Sequence, residues 1–127
     1  MKIPFRGPKK RIRKINSFVT KWHDLQMYCR DKSTWEKALK EADKLLDKAL
    51  KKRRFKGKSM GERLMNAQRY INDNDDTWAA HNLVKKLSAD APIKLRETDV
   101  KEALVGFRQA LRDLGALPSP QETNDDK

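Results

Sequence analysis

The residues of this chain whose types and spacing most clearly predict a chemistry are its lysines and arginines, and that chemistry is the binding of an anion. Two runs without a single acid, Lys2–Lys14 and Lys48–Lys58, hold fourteen of the thirty basic residues. Charge held in such blocks creates a local field that attracts a polyanion. The net charge is +12 and the pI is about 10.0. Nucleic acid is therefore the first candidate partner and an anionic membrane surface the second.

The basic side chains that we predict to contact phosphate groups come from both runs. They are Lys9, Lys10, Arg11, Arg13, Lys14, Lys48, Lys51, Lys52, Arg53, Arg54, Lys56 and Lys58. The negative end of a helix can favour one or two nearby cations by up to about 1 kcal/mol each. That effect does not explain the whole second run. Phosphate binding is thus favoured, and a merely solvated charged surface is the alternative.

Residues suited to catalysis or metal binding are few. His23 and His81 are the only histidines, and neither has a second ligand at helical spacing, so both are interpreted as surface residues. The one candidate polar site for an enzyme is His81 with Asn82 and Lys85. There is no glycine-rich phosphate loop and no complete metal-binding motif, so we expect no metal site and no cofactor.

Two carboxylates one helical turn apart, Asp43 and Asp47, could be considered for acid–base work. Lysines alternate with them along the segment, at positions 40, 44, 48 and 51. Ordinary surface ion pairs with these lysines are the favoured interpretation.

The lone cysteine, Cys29, excludes an internal disulfide, and its position among apolar residues predicts a core thiol. No apolar run is as long as a membrane span, and the start of the sequence lacks the apolar stretch of a secretory signal. We therefore expect a cytoplasmic location.

The spacing of the apolar residues, every three or four positions, predicts an all-α fold of about five helices. A first helix is expected over residues 11–30. Capping boxes at Ser33 with Glu36 and at Ser59 with Glu62 predict the starts of the second and third helices. Gly57 is expected to end the second helix, and Ile71 belongs to the apolar positions of the third.

The remaining two helices are predicted from turn residues and prolines. Residues 72–76 predict a turn into a helix that carries Trp78 and stops before Pro92. Thr98 is expected to open the last helix and Gly115 to end it. Trp35 and Trp78 are predicted to be buried. The result is an antiparallel bundle over residues 11–117, with a flexible basic arm at 1–10 and a disordered tail at 118–127.

Four segments between Trp35 and Leu117, a range that covers most of the chain, form a recognisable pattern: WEKALKEADKLLD, GKSMGERL, WAAHNLVKKL and a final DLGAL. This pattern is similar to that of an uncharacterised group of small bacterial helical proteins related to the HEPN domain (higher eukaryotes and prokaryotes nucleotide-binding). The resemblance implies a helical bundle, often a dimer. Many members of that superfamily are RNases that use an R-x4-6-H motif.

The RNase motif is absent from this chain. Trp78, Ala80 and His81 match the opening of the related pattern, but Val84 stands at the place of the catalytic arginine and Ala89 at that of the catalytic histidine. The resemblance therefore implies a HEPN-like scaffold without the RNase centre.

Together these observations predict a non-catalytic, basic helical protein that binds nucleic acid, RNA rather than DNA, in the bacterial cytoplasm. A homodimer is compatible with this prediction. Three alternatives remain open: a module for protein–protein interaction or dimerisation, an RNase with a relocated centre at the candidate polar site, and a peripheral membrane protein that uses Phe5 and the basic arm.

Overall fold

The computed structural model describes residues 17–89 and 93–118, and within these ranges it contains five α-helices and no strand. The predicted all-α class is confirmed. Helix α1 covers residues 17–26, and the others are α2 (Trp35–Lys52), α3 (Met60–Asn66), α4 (Asn74–Ser88) and α5 (Glu97–Asp113). Single turns of 3-10 helix lie at Met27–Arg30, Lys32–Thr34 and Gln68–Tyr70. The predicted arm, the start of the first helix and residues 119–127 of the tail lie outside the described residues.

Helix α2 lies at the centre of the fold and contacts α3, α4, α5 and the 3-10 turn that follows α1. Its leucines Leu39, Leu46 and Leu50 are fully buried, as are Phe107 and Leu111 of α5. Burial of a leucine or phenylalanine side chain contributes roughly 1.5 to 3 kcal/mol. This core holds α2 rigidly, and with it the basic residues at its end.

Helices α4 and α5 approach each other closely because Gly106 has no side chain. A Cβ atom at this position would lie 3.0 Å from the backbone oxygen of Asp76 and 3.7 Å from the Cβ of Ala80. Such a short distance to backbone would force the two helices apart. A larger residue at 106 would therefore disturb the packing of this pair.

The predicted capping box at Ser33 is wrong. Asp31 takes its place, because the Asp31 carboxylate accepts a hydrogen bond of 3.0 Å from the Ser33 backbone N–H and so caps a 3-10 turn. Helix α2 then begins at Trp35, after Thr34, whose hydroxyl donates to the Tyr28 carbonyl at 2.6 Å. An acid two residues upstream thus displaced the serine as the cap.

The capping box at Ser59 is confirmed, with one shift. The Ser59 hydroxyl accepts from the Glu62 backbone N–H at 3.2 Å, whereas the Glu62 carboxylate accepts from the N–H of Lys58, one residue before the cap, at 3.0 Å. The third helix is shorter than predicted, since α3 ends at Asn66 and a 3-10 turn carries the chain on to Ile71.

The predicted end of the second helix is also wrong. Helix α2 ends at Lys52, and Arg54, not Gly57, adopts the left-handed conformation, with φ of 64°. By contrast, Gly115 follows α5 with φ of 82°, as a glycine that ends a helix should. Helix α5 begins at Glu97, one residue before the predicted Thr98, because Arg96 and Asp99 form its cap.

The two tryptophans predicted to be buried are only half-buried. Trp35 packs against the core, and its indole N–H donates to the Cys29 carbonyl at 2.9 Å. Trp78 lies against the core with its six-membered ring 3.8 Å from where a Cβ at Gly61 would be. Both side chains pack against the edge of the core.

Candidate nucleic-acid interface

The second basic run begins on the last turns of α2 and continues through the loop that leads to α3. Lys48, Lys51 and Lys52 belong to the helix, whereas the remaining members lie beyond its end. We call residues 51–58 the basic turn; all of its cationic side chains are exposed. Because the helix ends at Lys52 and not at Gly57 as predicted, these cations lie partly on the end of α2 and partly on the loop that follows it.

Arg63 of α3 fixes the basic turn to the body of the protein. Its guanidinium donates to both carboxylate oxygens of Asp47, at 2.7 and 3.0 Å, and to the carbonyl of Gly57 at 2.8 Å. The hydrogen bonds that Arg63 donates to the Asp47 carboxylate raise the pKa of Arg63 above its usual value. Asn66 donates to the carbonyl of Lys56. The turn therefore has a fixed shape, which lowers the entropy lost when a ligand binds.

Gly57 allows the close approach of the turn to α3. A Cβ atom on Gly57 would lie 2.7 Å from the Arg63 backbone nitrogen and 2.8 Å from the Glu62 Cβ. Any other residue would push the turn away from α3.

Arg53 differs from its neighbours in the basic turn because its guanidinium already has partners. One N–H donates to the carbonyl of Leu114 at 2.5 Å, just after α5. The guanidinium carbon lies 5.6 Å from the centre of the Tyr70 ring and 5.9 Å from that of Phe55. Arg53 thus joins the basic turn to the end of α5, a role that sequence alone did not indicate.

Lys21 of α1 is a basic residue of this region that sequence analysis missed. It lines a groove between α1 and α2 together with Lys48, the apolar Leu25 and the acids Asp24 and Glu41. The close approach of the Lys21 side chain lowers the pKa of Lys48, and burial and the charge of Lys52 lower it further. No pattern in the sequence could have found Lys21, since its role depends on how α1 packs on α2.

The cations of α2 fall into paired and unpaired groups. Lys40 pairs with Glu36 at 2.7 Å, Lys44 with Glu41 at 3.6 Å, and Lys51 with Asp47 at 3.5 Å. Among residues 17–89 and 93–118, no acid forms a salt bridge with the other basic residues of this region. These are Lys21, Lys48, Lys52, Arg54, Lys56 and Lys58.

His81 is not a surface residue, contrary to prediction. It is only 6% exposed, and its Nδ1 lies 2.8 Å from a carboxylate oxygen of Asp43 on α2. The predicted lysine partners of Asp43 and Asp47 are therefore wrong in part: Asp43 pairs with His81, and Asp47 pairs with Arg63 as well as Lys51. The surface position predicted for His23 is confirmed.

The candidate polar site on α4 is not brought together by the fold. His81 points inward to Asp43, whereas Asn82 and Lys85 are exposed. Val84, at the place of the catalytic arginine in the HEPN pattern, is 6% exposed and belongs to the core, and Ala89 lies just after α4. His81 thus links α4 to α2, and it does not form an open site with Asn82 and Lys85.

The predicted core position of Cys29 is half-correct. Its thiol is partly buried, contacts the Leu25 carbonyl at 3.9 Å, and has a pKa raised by burial.

In the described part of the chain, no three His, Cys, Asp or Glu side chains are grouped so that they could hold a metal ion. The predicted contacts of Lys9, Lys10, Arg11, Arg13 and Lys14 lie outside the described residues.

Comparison with known proteins adds no relative: no protein-family model matches the chain, and no curated protein or solved structure shows significant similarity to it. Over the residues that the structure describes, none of the helices has both the length and the apolar character needed to cross a membrane.

Proposed function

We propose that the protein binds nucleic acid through the basic turn together with Lys21 and Lys48. The observation that carries the proposal is that Lys21 and Lys48, from two helices, line one groove with Lys52 one turn further along α2, and no acid of the described residues forms a salt bridge with them. Asp24 and Glu41 line the same groove but lie beyond salt-bridge distance of these lysines, so the repulsion between the like charges is offset only in part. A phosphate group bound there would supply a further counter-charge.

The conformation of Arg54 supports the same proposal. A non-glycine residue in the left-handed region costs about 1 to 3 kcal/mol, and glycine would avoid that cost. The arginine side chain is exposed and takes part in none of the salt bridges of the described residues. Retention of a strained arginine is understandable if its guanidinium contacts a phosphate group of the ligand.

RNA is proposed over DNA because of the resemblance to HEPN proteins, and the bacterial cytoplasm as the location rests on the same resemblance. The proposed activity is binding without catalysis, since Val84 and Ala89 cannot transfer protons or stabilise phosphate charge. The predicted basic arm would add phosphate contacts to those of the folded domain.

One observation favours a second candidate function, self-association through α4 and α5. Val105 is 49% exposed and lines a groove between these helices with Ala79 and Leu83. Charged residues, among them Lys86 and Glu102, line the same groove, and apolar contacts with a charged rim are typical of a protein–protein interface. Light scattering over a range of protein concentrations would detect a dimer, and Val105→Glu should convert it to a monomer.

Two variants with the same change in net charge test nucleic-acid binding. The first, Lys48→Gln with Lys52→Gln, removes unpaired cations of the proposed interface. The second, Lys40→Gln with Lys101→Gln, removes lysines that pair with Glu36 and Glu97 elsewhere. Fluorescence anisotropy with a labelled RNA strand should show at least a fivefold weaker affinity for the first variant and little change for the second. Equal losses would mean that only net charge matters and would contradict a defined interface.

A further inference from the structure

An exposed aromatic ring lies at the edge of the basic turn. Tyr70, the last residue of the 3-10 turn Gln68–Tyr70, is 50% exposed. Its ring centre lies 5.4 Å from that of Phe55 at an angle of 52°, and 5.6 Å from the guanidinium carbon of Arg53. Phe55 and Arg53 both belong to the basic turn, so cations and an aromatic ring occupy the same part of the surface.

The Tyr70 ring is held in place by its surroundings. Its backbone N–H donates to the Ala67 carbonyl at 2.9 Å, and the residues on either side of the 3-10 turn, Ala67 and Ile71, are buried. Phe55 packs against the core, and Arg53 is fixed by its bond to Leu114. A ring held on a rigid element loses little entropy when a second flat group stacks on it.

We propose that Tyr70 is a stacking platform for an unpaired nucleobase, so that the protein binds single-stranded nucleic acid in preference to duplex. The inference rests on the proposed function, since the phosphates of the same strand would contact the basic turn. Proteins that bind single strands combine a cationic path for the backbone with aromatic rings on which bases stack. In a duplex the bases are already stacked on each other and cannot reach the ring.

Phe55 and Arg53 lie beside the Tyr70 ring. Phe55 packs against the core, and its tilted contact with Tyr70 holds that ring next to the basic turn. The positive charge of Arg53 lies near both rings. A base on the exposed part of Tyr70 would thus meet an aromatic surface, while its flanking phosphates would meet the exposed cations of the turn.

The test compares three ligands of equal length: single-stranded oligouridylate, the same strand without its bases, and a duplex. For the unmodified protein we expect the base-bearing strand to bind about tenfold more tightly than the abasic strand, since one stacked base has that effect. Tyr70→Leu should remove the difference while leaving affinity for the abasic strand unchanged. Tyr70→Phe, which keeps the ring, should behave like the unmodified protein.

The outcomes separate this inference from the proposed function. Equal affinities of the unmodified protein for the base-bearing and abasic strands would overturn the stacking role and leave phosphate binding intact. Tighter binding of the duplex would overturn it as well. Absence of binding to all three ligands would overturn both proposals. The comparison of strands uses the unmodified protein, so it decides the question even if Tyr70→Leu fails to fold.

Discussion

Two adjacent stripes of α2 use charge in opposite ways. On one stripe, the carboxylates of Asp43 and Asp47 are largely buried and each has a fixed partner, His81 on α4 and Arg63 on α3. On the other stripe, Lys48 and Lys52 lie one turn apart near Lys21 and pair with no acid of the described residues. The paired stripe joins helices to each other, whereas the stripe of Lys48 and Lys52, which has no salt bridge to the described residues, is the one that we propose for phosphate binding.

A high density of lysines on α2 does not by itself identify an interface. Lys40, Lys44 and Lys51 are as basic as Lys48, yet each has an acid nearby. Exposed pairs of this kind contribute at most about 1 kcal/mol. What distinguishes Lys48 and Lys52 is that the fold brings Lys21 close to Lys48, while no acid of the described residues lies within salt-bridge distance of either lysine.

The largest effect is expected for Arg63→Leu, which removes the bidentate partner of Asp47 on the paired stripe and leaves that carboxylate with Lys51 alone. The side chains of Arg63 and Asp47 are 13% and 19% exposed, and breaking such a pair by removal of one partner costs about 3 kcal/mol. Urea unfolding followed by circular dichroism should show this loss. Arg63→Lys keeps the charge but not the two-pronged bond, so it should show an intermediate loss. Unchanged stability of Arg63→Leu would mean that the paired stripe does not hold the helices together.

The second prediction concerns Arg54→Gly, which should raise the stability of the fold and lower its affinity for RNA. Arg54→Gly relieves the left-handed conformation and should stabilise the fold by about 1 kcal/mol. The same change removes a cation from the basic turn and should weaken RNA binding severalfold. Thermal unfolding and anisotropy measure the two effects. A loss of stability in Arg54→Gly would show that Arg54 stabilises the fold. Arg53→Gln is the contrasting variant: it removes the hydrogen bond to the Leu114 carbonyl, so its stability should fall.

The smallest effect concerns the pH dependence of stability. Neighbouring Lys21 lowers the pKa of Lys48 in the folded state. Between this pKa and the higher pKa of the unfolded chain, the unfolded state binds more protons, so stability rises with pH in that window. Below the folded-state pKa of Lys48, this lysine is protonated in both states, and the repulsion from Lys21 destabilises the folded protein by its full amount.

Lys48→Met should therefore be more stable than the unmodified protein at neutral pH, and the gap should close as the pH approaches about 10.4, the usual pKa of lysine. Melting temperatures over this range measure the gap. Lys51→Met is the matched control, because its ammonium pairs with Asp47 and its removal should slightly destabilise the fold. A Lys48→Met protein less stable than the unmodified one would contradict the crowding of the unpaired stripe.

Much of the fold could be predicted from sequence because its signals are local. Apolar spacing indicated the five helices, and Ser59 and Gly115 marked boundaries that the structure confirms. The errors came from local competition. At the start of the second helix, Asp31 is the cap in place of Ser33. At its end, the sequence favoured Gly57 over Arg54 as the left-handed residue, since arginine rarely adopts that conformation.

The candidate site was predictable only in part, since its key contacts join distant segments. The basic run at Lys48–Lys58 is visible in the sequence, but Lys21 approaches it only through the packing of α1 on α2. The partners Asp43 and His81 are 38 residues apart. Tyr70 lies where apolar spacing predicted continued helix, and its place beside Phe55 depends on the end of α3 at Asn66.

The dependence of RNA affinity on salt concentration tests most directly whether the cations around the end of α2 bind phosphate groups. Each phosphate neutralised on a single strand contributes about −0.7 to the slope of log affinity against log salt, so five contacts would give roughly −3.5. Replacement of Lys48, Lys52, Arg54 and Lys56 by glutamine leaves Arg53 and Arg63 in place and should keep the fold intact. We expect a steep slope of log affinity against log salt for the unmodified protein and a clearly flatter slope for this variant. A slope near zero, or the same slope for both proteins, would contradict the proposal that these unpaired cations bind phosphate.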